Sequence, residues 1–132
     1  MRLHVPEHEV VYVRFHLTAM NVINILSKQW DCRPSTAASK VLHDYMSLLY
    51  CRCDSNINIL EERELNLSPL ASAFFLQRGR SSHSVLSKPM NLTLDKRVHR
   101  DMMLLAQRFD MSVQNFRIAI VITYGLHHQI IR

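Results

Sequence analysis

The sequence feature that most constrains the fold is an order of patterns that occurs twice: an alternating segment, a helical stripe, a break and a second helical stripe. In the first copy, residues 9–17 alternate between apolar and polar side chains, which is typical of a strand with one buried face. The apolar face consists of Val11, Val13, Phe15 and Leu17. The opposite face, which we expect to face solvent, consists of Tyr12, Arg14 and His16.

Two helices are predicted after this strand. Thr18 is a suitable N-cap for the first helix, which we expect to reach Asp31. The Arg33-Pro34 step ends the helical pattern, because proline disfavours helical backbone in the residue before it. Ser35 then predicts the cap of a second helix. The two apolar stripes consist of Val22, Ile25, Leu26 and Trp30, and of Ala38, Val41, Leu42, Tyr45 and Leu49.

The second copy begins near residue 90. Its strand places Asn91 and Thr93 on the polar face, and Asp95 is a suitable N-cap for the helix that follows. Ser112 predicts the cap of a last helix. Residues 118–122 are β-branched enough for a strand, but apolar neighbours on all sides favour the most buried helix of a small core. The inward positions are Met90, Leu92, Leu94, Val98, Met102, Leu105, Ala106, Phe109, Phe116, Ile120 and Tyr124.

The two copies resemble each other in the order and spacing of their elements more than in the identity of their residues. Three pairs of matching positions are predicted to lie 77 residues apart, namely Leu17 and Leu94, Thr18 and Asp95, and Ser35 and Ser112. This spacing indicates an internal structural repeat. We therefore expect a first unit at residues 9–50, a connector at 51–87 and a second unit at 88–132.

The connector has a weaker pattern. A short charged helix is predicted within residues 57–65, and Ser68-Pro69 predicts the start of another at 70–77. Residues 78–84 are rich in arginine and serine and predict an exposed basic loop.

Composition and charge restrict the class of protein. The 132 residues carry a formal net charge of +5 and are 48% hydrophobic, which predicts a packed core and a surface that attracts polyanions such as nucleic acid. The first residues contain no apolar core of a signal peptide, and no stretch reaches the ~18 apolar residues of a spanning helix. We expect a soluble cytoplasmic protein with no membrane partner.

No cofactor, metal site or enzyme activity is predicted. Three cysteines, an odd number, fit a reducing compartment, and the pair Cys51 and Cys53 lacks the second ligand pair of a zinc module. The neighbouring His127 and His128 point about 100° apart on a helix and do not face one ligand. Nucleophile triads, glycine-rich phosphate loops and HExxH motifs are also missing from the sequence.

The strand, cap, helix, turn and helix order of residues 11–49 and 90–128 resembles the ribbon-helix-helix family, to which the DNA-binding proteins Arc and MetJ belong. The resemblance implies that two units pair their strands antiparallel and interlock four helices into one core. Two units in one chain are similar to the tandem form of the plasmid-transfer regulator TraY. The implied fold is mainly α with a short antiparallel β-ribbon, a tandem pseudo-dimer. The chain departs from the family at Arg33-Pro34 and Asp110-Met111, where a glycine usually precedes the second helix, and at Pro89.

The resemblance implies that the ribbon reads bases in the DNA major groove. The base-reading candidates are Tyr12, Arg14, His16, Asn91 and Thr93. Arginine pairs well with guanine and asparagine with adenine, although an exposed strand face is polar in any half-buried sheet. Phosphate contacts are expected from the starts of the second helices and from basic residues nearby. These candidates are Ser35, Thr36, Ser112, Val113, Lys88, Lys96, Arg97, Arg78 and Arg80.

Three functions fit this interpretation. The first is a sequence-specific transcriptional regulator, from a plasmid or another mobile element, that binds double-stranded DNA and associates as a homodimer of pseudo-dimers on adjacent sites. The second is an antitoxin-type interaction module whose connector or C-terminus binds and neutralises a protein partner. The third is a relaxosome accessory protein that binds and bends DNA at a transfer origin. The sequence does not separate them.

Overall fold

A computed structural model describes residues 7–68 and 89–131. Over these ranges the chain is mainly helical, with one two-stranded antiparallel sheet. The first copy of the pattern gives β1 (His8–Val13), α1 (Leu17–Gln29) and α2 (Pro34–Arg52). Two short 3₁₀ helices follow, Ile57–Ile59 and Glu62–Leu65. The second copy gives β2 (Met90–Asp95), α3 (Lys96–Arg108) and α4 (Val113–His127).

The two strands form a ribbon in which residues far apart in sequence are direct neighbours. β1 and β2 run antiparallel, with Tyr12 opposite Asn91 and Val11 opposite Leu92. The inward side chains are almost fully buried against the helices, as the alternation predicted; they are Val11, Val13, Leu92 and Leu94. Because every second residue points inward, the residues between them form an outer face that the helices leave uncovered.

The first strand ends earlier than its sequence pattern predicted. Residues 9–17 were expected to be extended, but β1 ends at Val13 and helix α1 already begins at Leu17. The prediction that Leu17 points inward is wrong, since it is 61% exposed. The cap is His16, whose Nδ1 accepts a hydrogen bond of 3.1 Å from the backbone N–H of Thr18. The ring takes the role that was assigned to Thr18.

The other three helix starts show which caps the sequence predicted correctly. Asp95 accepts from the backbone N–H groups of Arg97 and Val98, and Ser112 accepts from that of Asn115. The prediction of Ser35 as the cap of α2 is wrong, because Arg33 is the N-cap and Pro34 is the first helical residue. The true caps are thus 79 residues apart in both pairs, His16 with Asp95 and Arg33 with Ser112, and not 77.

One hydrophobic core is built from both copies of the pattern. Phe15 and Phe116, one from each copy, are fully buried in the same cluster of apolar side chains. A polar link also joins the copies, since the hydroxyl of Tyr50 in α2 donates a 2.6 Å hydrogen bond to Asp101 of α3. Burial, followed by the hydrogen bond to that carboxylate, raises the pKa of Tyr50 well above its usual range. Tyr50 therefore stays a donor to a carboxylate that is 4% exposed.

Helix α4 is the most buried element, as residues 118–122 predicted. Every residue from Phe116 to Thr123 is buried, and so is Gly125. A side chain is excluded at Gly125, because an added Cβ would lie 2.5 Å from a Cγ atom of Val22. The β-branched Val22 has little rotamer freedom to move aside in a helix. α1 and α4 are thus in close backbone contact at this point.

The part of the connector that the structure describes packs on the core. The predicted single helix over residues 57–65 is instead two 3₁₀ turns that bury Ile57, Leu60 and Leu65. The Tyr45 hydroxyl donates to the carbonyl of Leu65 at 2.7 Å, which fixes the second turn against α2. The helix predicted at 70–77 and the basic loop predicted at 78–84 lie outside the described residues. In the described ranges, none of the helices has the length and apolar content needed to span a bilayer.

Candidate nucleic-acid interface

The outer face of the ribbon gathers side chains from both strands. Val10 lies opposite Thr93, and Tyr12 lies opposite Asn91. Arg14 follows β1 directly and is exposed, as are all four of these residues. Tyr12 is 76% exposed and Val10 is 61% exposed, so large side chains project from the ribbon without a covering element among the described residues. Four of the five predicted base readers, Tyr12, Arg14, Asn91 and Thr93, therefore lie on one surface.

His16, the fifth predicted base reader, is the N-cap of α1. It is partly buried at the start of α1, where its Nδ1 accepts the cap hydrogen bond. Burial lowers the pKa of the ring, which favours the neutral form that is able to accept. The ring that was predicted to read bases therefore has a second role as the N-cap of α1, and base reading by His16 stays a prediction.

The first turn of α2 borders the outer face beside β2. A groove of about 300 Å³ separates them, and residues from both elements line it. The lining residues are Ser35, Thr36, Ser39, Lys40, His43, Asn91 and Thr93. The groove therefore brings together two predicted phosphate contacts, Ser35 and Thr36, and two predicted base readers, Asn91 and Thr93.

Two side chains of α2 hold β2 in place beside this groove. The Ser39 hydroxyl donates to the backbone carbonyl of Thr93 at 2.7 Å. Nε2 of His43 accepts from the backbone N–H of Asp95 at 3.1 Å, and Nδ1 lies 2.8 Å from the carbonyl of Ser39. Since Nε2 accepts, the proton belongs on Nδ1, which donates to that carbonyl. This pair of contacts fixes the distance between the helix start and the strand.

The start of α2 presents free backbone donors. Its N-cap Arg33 makes no side-chain cap hydrogen bond with the described residues. Pro34, the first helical residue, has no N–H group, so Ser35 and Thr36 supply the first-turn N–H groups that have no acceptor within the helix. Such donors, at the positive end of the helix dipole, favour an anion. They lie next to Asn91 and Thr93 of the ribbon.

The start of α4 differs from that of α2. Ser112 is exposed, and its hydroxyl accepts from the N–H of Asn115, which satisfies one first-turn donor. Val113 is the first helical residue and is partly buried. Both residues line a larger groove of about 1290 Å³ that also contains Glu9 of β1 and Lys96 and His99 of α3. The two predicted phosphate sites are therefore not chemically equivalent.

The predicted basic contacts divide into three cases. Lys96 is exposed at the start of α3. Arg97 is occupied elsewhere, because its guanidinium lies 3.6 Å from the Asp101 carboxylate and stacks over the Tyr50 ring at 4.5 Å. The phosphate role of Arg97 stays a prediction. Arg78, Arg80 and Lys88 lie outside the described residues.

A buried arginine supports the wall of the larger groove. Arg117 of α4 is 4% exposed, and its Nη2 lies 3.1 Å from Nδ1 of His99. Burial, then the neighbouring Arg117 charge, lowers the pKa of His99, although Glu9 acts in the opposite direction. The arginine has to donate, so Nδ1 accepts and the His99 proton belongs on Nε2, which lies 3.9 Å from the Glu9 carboxylate. His99 therefore links α4 to the ribbon.

Three residues of the interface were not singled out from the sequence. Val10 was outside the predicted alternating face, yet it is the partner of Thr93 on the ribbon surface. Ser39 and His43 carry no local signal, because their contacts are with residues 54 and 52 positions away. Their positions four residues apart place both on the same face of α2, but this spacing does not indicate which element that face contacts.

No cluster of three or more histidine, cysteine, aspartate or glutamate side chains that would suit a metal ion occurs within residues 7–68 and 89–131. Comparisons of the chain with protein-family models, with curated proteins and with solved structures find no match.

Proposed function

We propose that this chain is a sequence-specific DNA-binding transcriptional regulator of the ribbon-helix-helix type. In this proposal the two units pair within one chain as a pseudo-dimer, and the β1–β2 ribbon enters the major groove. The observation that carries the proposal is the antiparallel register, which sets Tyr12 opposite Asn91 and Val10 opposite Thr93 on an exposed face. The major groove, about 12 Å wide, admits a two-stranded ribbon.

The chemistry of the outer face supports base reading. Arg14 has the geometry for two hydrogen bonds to the N7 and O6 atoms of guanine, and Asn91 for two to the N6 and N7 atoms of adenine. Thr93 suits a polar base edge or a thymine methyl group, and Tyr12 lies at the middle of the ribbon, opposite Asn91. Each good bidentate pair contributes about 1–3 kcal/mol of discrimination against a wrong base.

The flanks of the ribbon support contacts with the DNA backbone. The free N–H groups of Ser35 and Thr36 lie beside the outer face and favour a phosphate oxygen. Lys96 and the start of α4 near Ser112 and Val113 supply a second anchor on the other flank. Phosphate contacts orient the ribbon, whereas the side chains of the outer face select the sequence.

The proposal also assigns the parts of the chain. Residues 9–50 and 88–132 are the two units, which share one core, and residues 51–87 connect them. The partner is double-stranded DNA in the cytoplasm, with a second copy of the chain on an adjacent site.

The test starts with selection of duplexes from a random pool by the wild-type protein, followed by binding measured as fluorescence anisotropy at several salt concentrations. We expect Arg14→Ala to lose preference for the selected duplex over random duplex by about 5- to 150-fold. Lys96→Ala should weaken both duplexes about equally and reduce the salt slope by about one.

Arg63→Ala is the matched control, because it removes the same charge from an exposed side chain whose ion pair is with Glu61. This variant should bind like the wild type. The proposal is wrong if selection enriches no duplex, or if Arg14→Ala retains the full preference of the wild type.

A further inference from the structure

The spacing of the caps and the register of the ribbon together define a local two-fold relation. A shift of 79 residues relates the cap His16 to the cap Asp95, and the same shift relates Tyr12 to Asn91. The register independently places Tyr12 opposite Asn91 across the ribbon. When two equivalent residues are also paired directly across the ribbon, the two-fold axis that relates them passes between them. The axis of the ribbon therefore passes between Tyr12 and Asn91.

The two ends of the outer face are chemically different about this axis. At one end, Val10 lies opposite Thr93. At the other end, the register continued by one pair brings Arg14 opposite Pro89. The 79-residue shift makes Arg14 equivalent to Thr93 and Val10 equivalent to Pro89. A guanidinium at one end thus corresponds to a hydroxyl at the other, so the ribbon has no chemical two-fold symmetry.

The flanks add to this difference. The end with Thr93 borders the uncapped start of α2, with Ser35 and Thr36 across a narrow groove. The start of α4, which the same shift makes equivalent, is capped by Ser112 and lines a groove about four times larger that contains the acidic Glu9. The two flanks of the ribbon therefore present different donors and charges to a DNA phosphate.

We propose that the chain recognises a DNA site without two-fold symmetry and binds it in a single orientation. Arg14 selects guanine at one end, the Val10–Thr93 pair selects thymine through its methyl group at the other, and Asn91 selects adenine at the centre. Val10 is thereby a specificity-determining residue. This inference rests on the DNA-binding function proposed above, but a symmetric site would be equally compatible with that function.

The test compares the duplex selected by the wild type with two palindromic derivatives, one with the guanine arm doubled and one with the thymine arm doubled. Doubling the thymine arm removes the Arg14 contact, and we expect affinity to fall by about 5- to 150-fold. Doubling the guanine arm removes the Val10–Thr93 contact and should have a smaller effect.

Thr93→Arg places an arginine at both ends and should reverse the order of the selected duplex and the duplex with two guanine arms, so that the latter binds best. The Ser39 hydroxyl donates to the backbone carbonyl of residue 93, so the substitution leaves the acceptor in place. Arg14→Thr is the second variant, and we expect it to bind the duplex with two thymine arms best. Circular dichroism melts verify that both variants fold.

Each outcome has one meaning. If the wild type selects a palindrome, or binds both palindromes as tightly as the selected duplex, the inference is overturned and DNA binding stands. If neither folded variant changes the ranking, the assignment of the two ends is overturned. If no duplex is enriched, the proposed function itself fails.

Discussion

Helices α2 and α4 hold equivalent places in the two copies of the pattern, yet their equivalent positions carry different chemistry. In α2, Ser39 and His43 form hydrogen bonds with the backbone of β2. The positions 79 residues later are Ile118 and Ile122, which are both buried and apolar. One helix therefore attaches a strand through polar contacts, and the other fills the centre of the core.

The other strand of the ribbon, β1, is attached by a different helix. The backbone N–H of Lys96, the first residue of α3, donates to the carbonyl of Glu7 at 2.9 Å. His99 of the same helix lies 3.9 Å from Glu9 and is supported from behind by Arg117. β2 is thus attached by α2, whereas β1 is attached by α3. Equivalent order along the chain does not impose equivalent contacts, because each strand is held by the polar groups of the other copy that lie beside it.

The strongest way to break this comparison is to give α4 the residue of α2. Ile118→Ser places the equivalent of Ser39 in a site that is 3% exposed. We expect the free energy of unfolding to fall by about 2–5 kcal/mol, as for removal of a buried isoleucine side chain. Ile118→Val is the control and should cost about 0.5–1.5 kcal/mol. Urea denaturation followed by circular dichroism measures both. Equal losses in the two variants would show that the site is not part of a tightly packed core.

A smaller effect is expected from removing the polar attachment of α2. His43→Ala leaves the backbone N–H of Asp95 without its partner and should lower the free energy of unfolding by about 1–3 kcal/mol. Hydrogen exchange of the Asp95 amide should become faster. Lys40→Ala is the control on the same helix, since its ion pair with Asp44 is largely exposed and such pairs contribute about 0–1 kcal/mol. Unchanged exchange at Asp95 in His43→Ala would contradict the assigned role.

The features that the sequence predicted correctly depend on local chemistry. Asp95 and Ser112 have short polar side chains that reach the next turn of their own helix, so their caps require no distant partner. The inward positions of β2 follow from alternation alone, and Leu92 and Leu94 are fully buried. Pairing of the two strands was implied only by the family resemblance, and the register confirms it as antiparallel.

The features that the sequence missed depend on distant neighbours. Thr18 and His16 are both able to cap a helix, and only the path of the chain after β1 determines that the ring of His16 reaches the Thr18 N–H. Pro34 belonged to the predicted break but serves as the first residue of α2, where its missing N–H is not needed. His43 contacts a strand 52 residues away, and no local pattern predicts that contact.

The smallest expected effect is a pH dependence of stability that comes from the His16 cap of α1 and not from the Asp95 cap of α3. Burial lowers the pKa of His16, so the folded state favours the neutral ring that caps α1. The unfolded state then binds more protons as pH falls below about 6.5, the ordinary pKa of histidine, and stability decreases from there down to the lowered folded pKa. The cap contributes about 1 kcal/mol, which limits the loss.

His16→Asp installs at α1 the cap that α3 already has, and a carboxylate at a helix start is favoured by the dipole. Urea denaturation at pH 7.5 and at pH values below 6 should show a smaller acid loss in this variant than in the wild type. A residual loss remains, because burial and the adjacent Arg117 also lower the pKa of His99. The exposed His127→Gln is the control and should keep the wild-type pH dependence. If His16→Asp loses as much stability in acid as the wild type, protonation of the cap is not what weakens the start of α1.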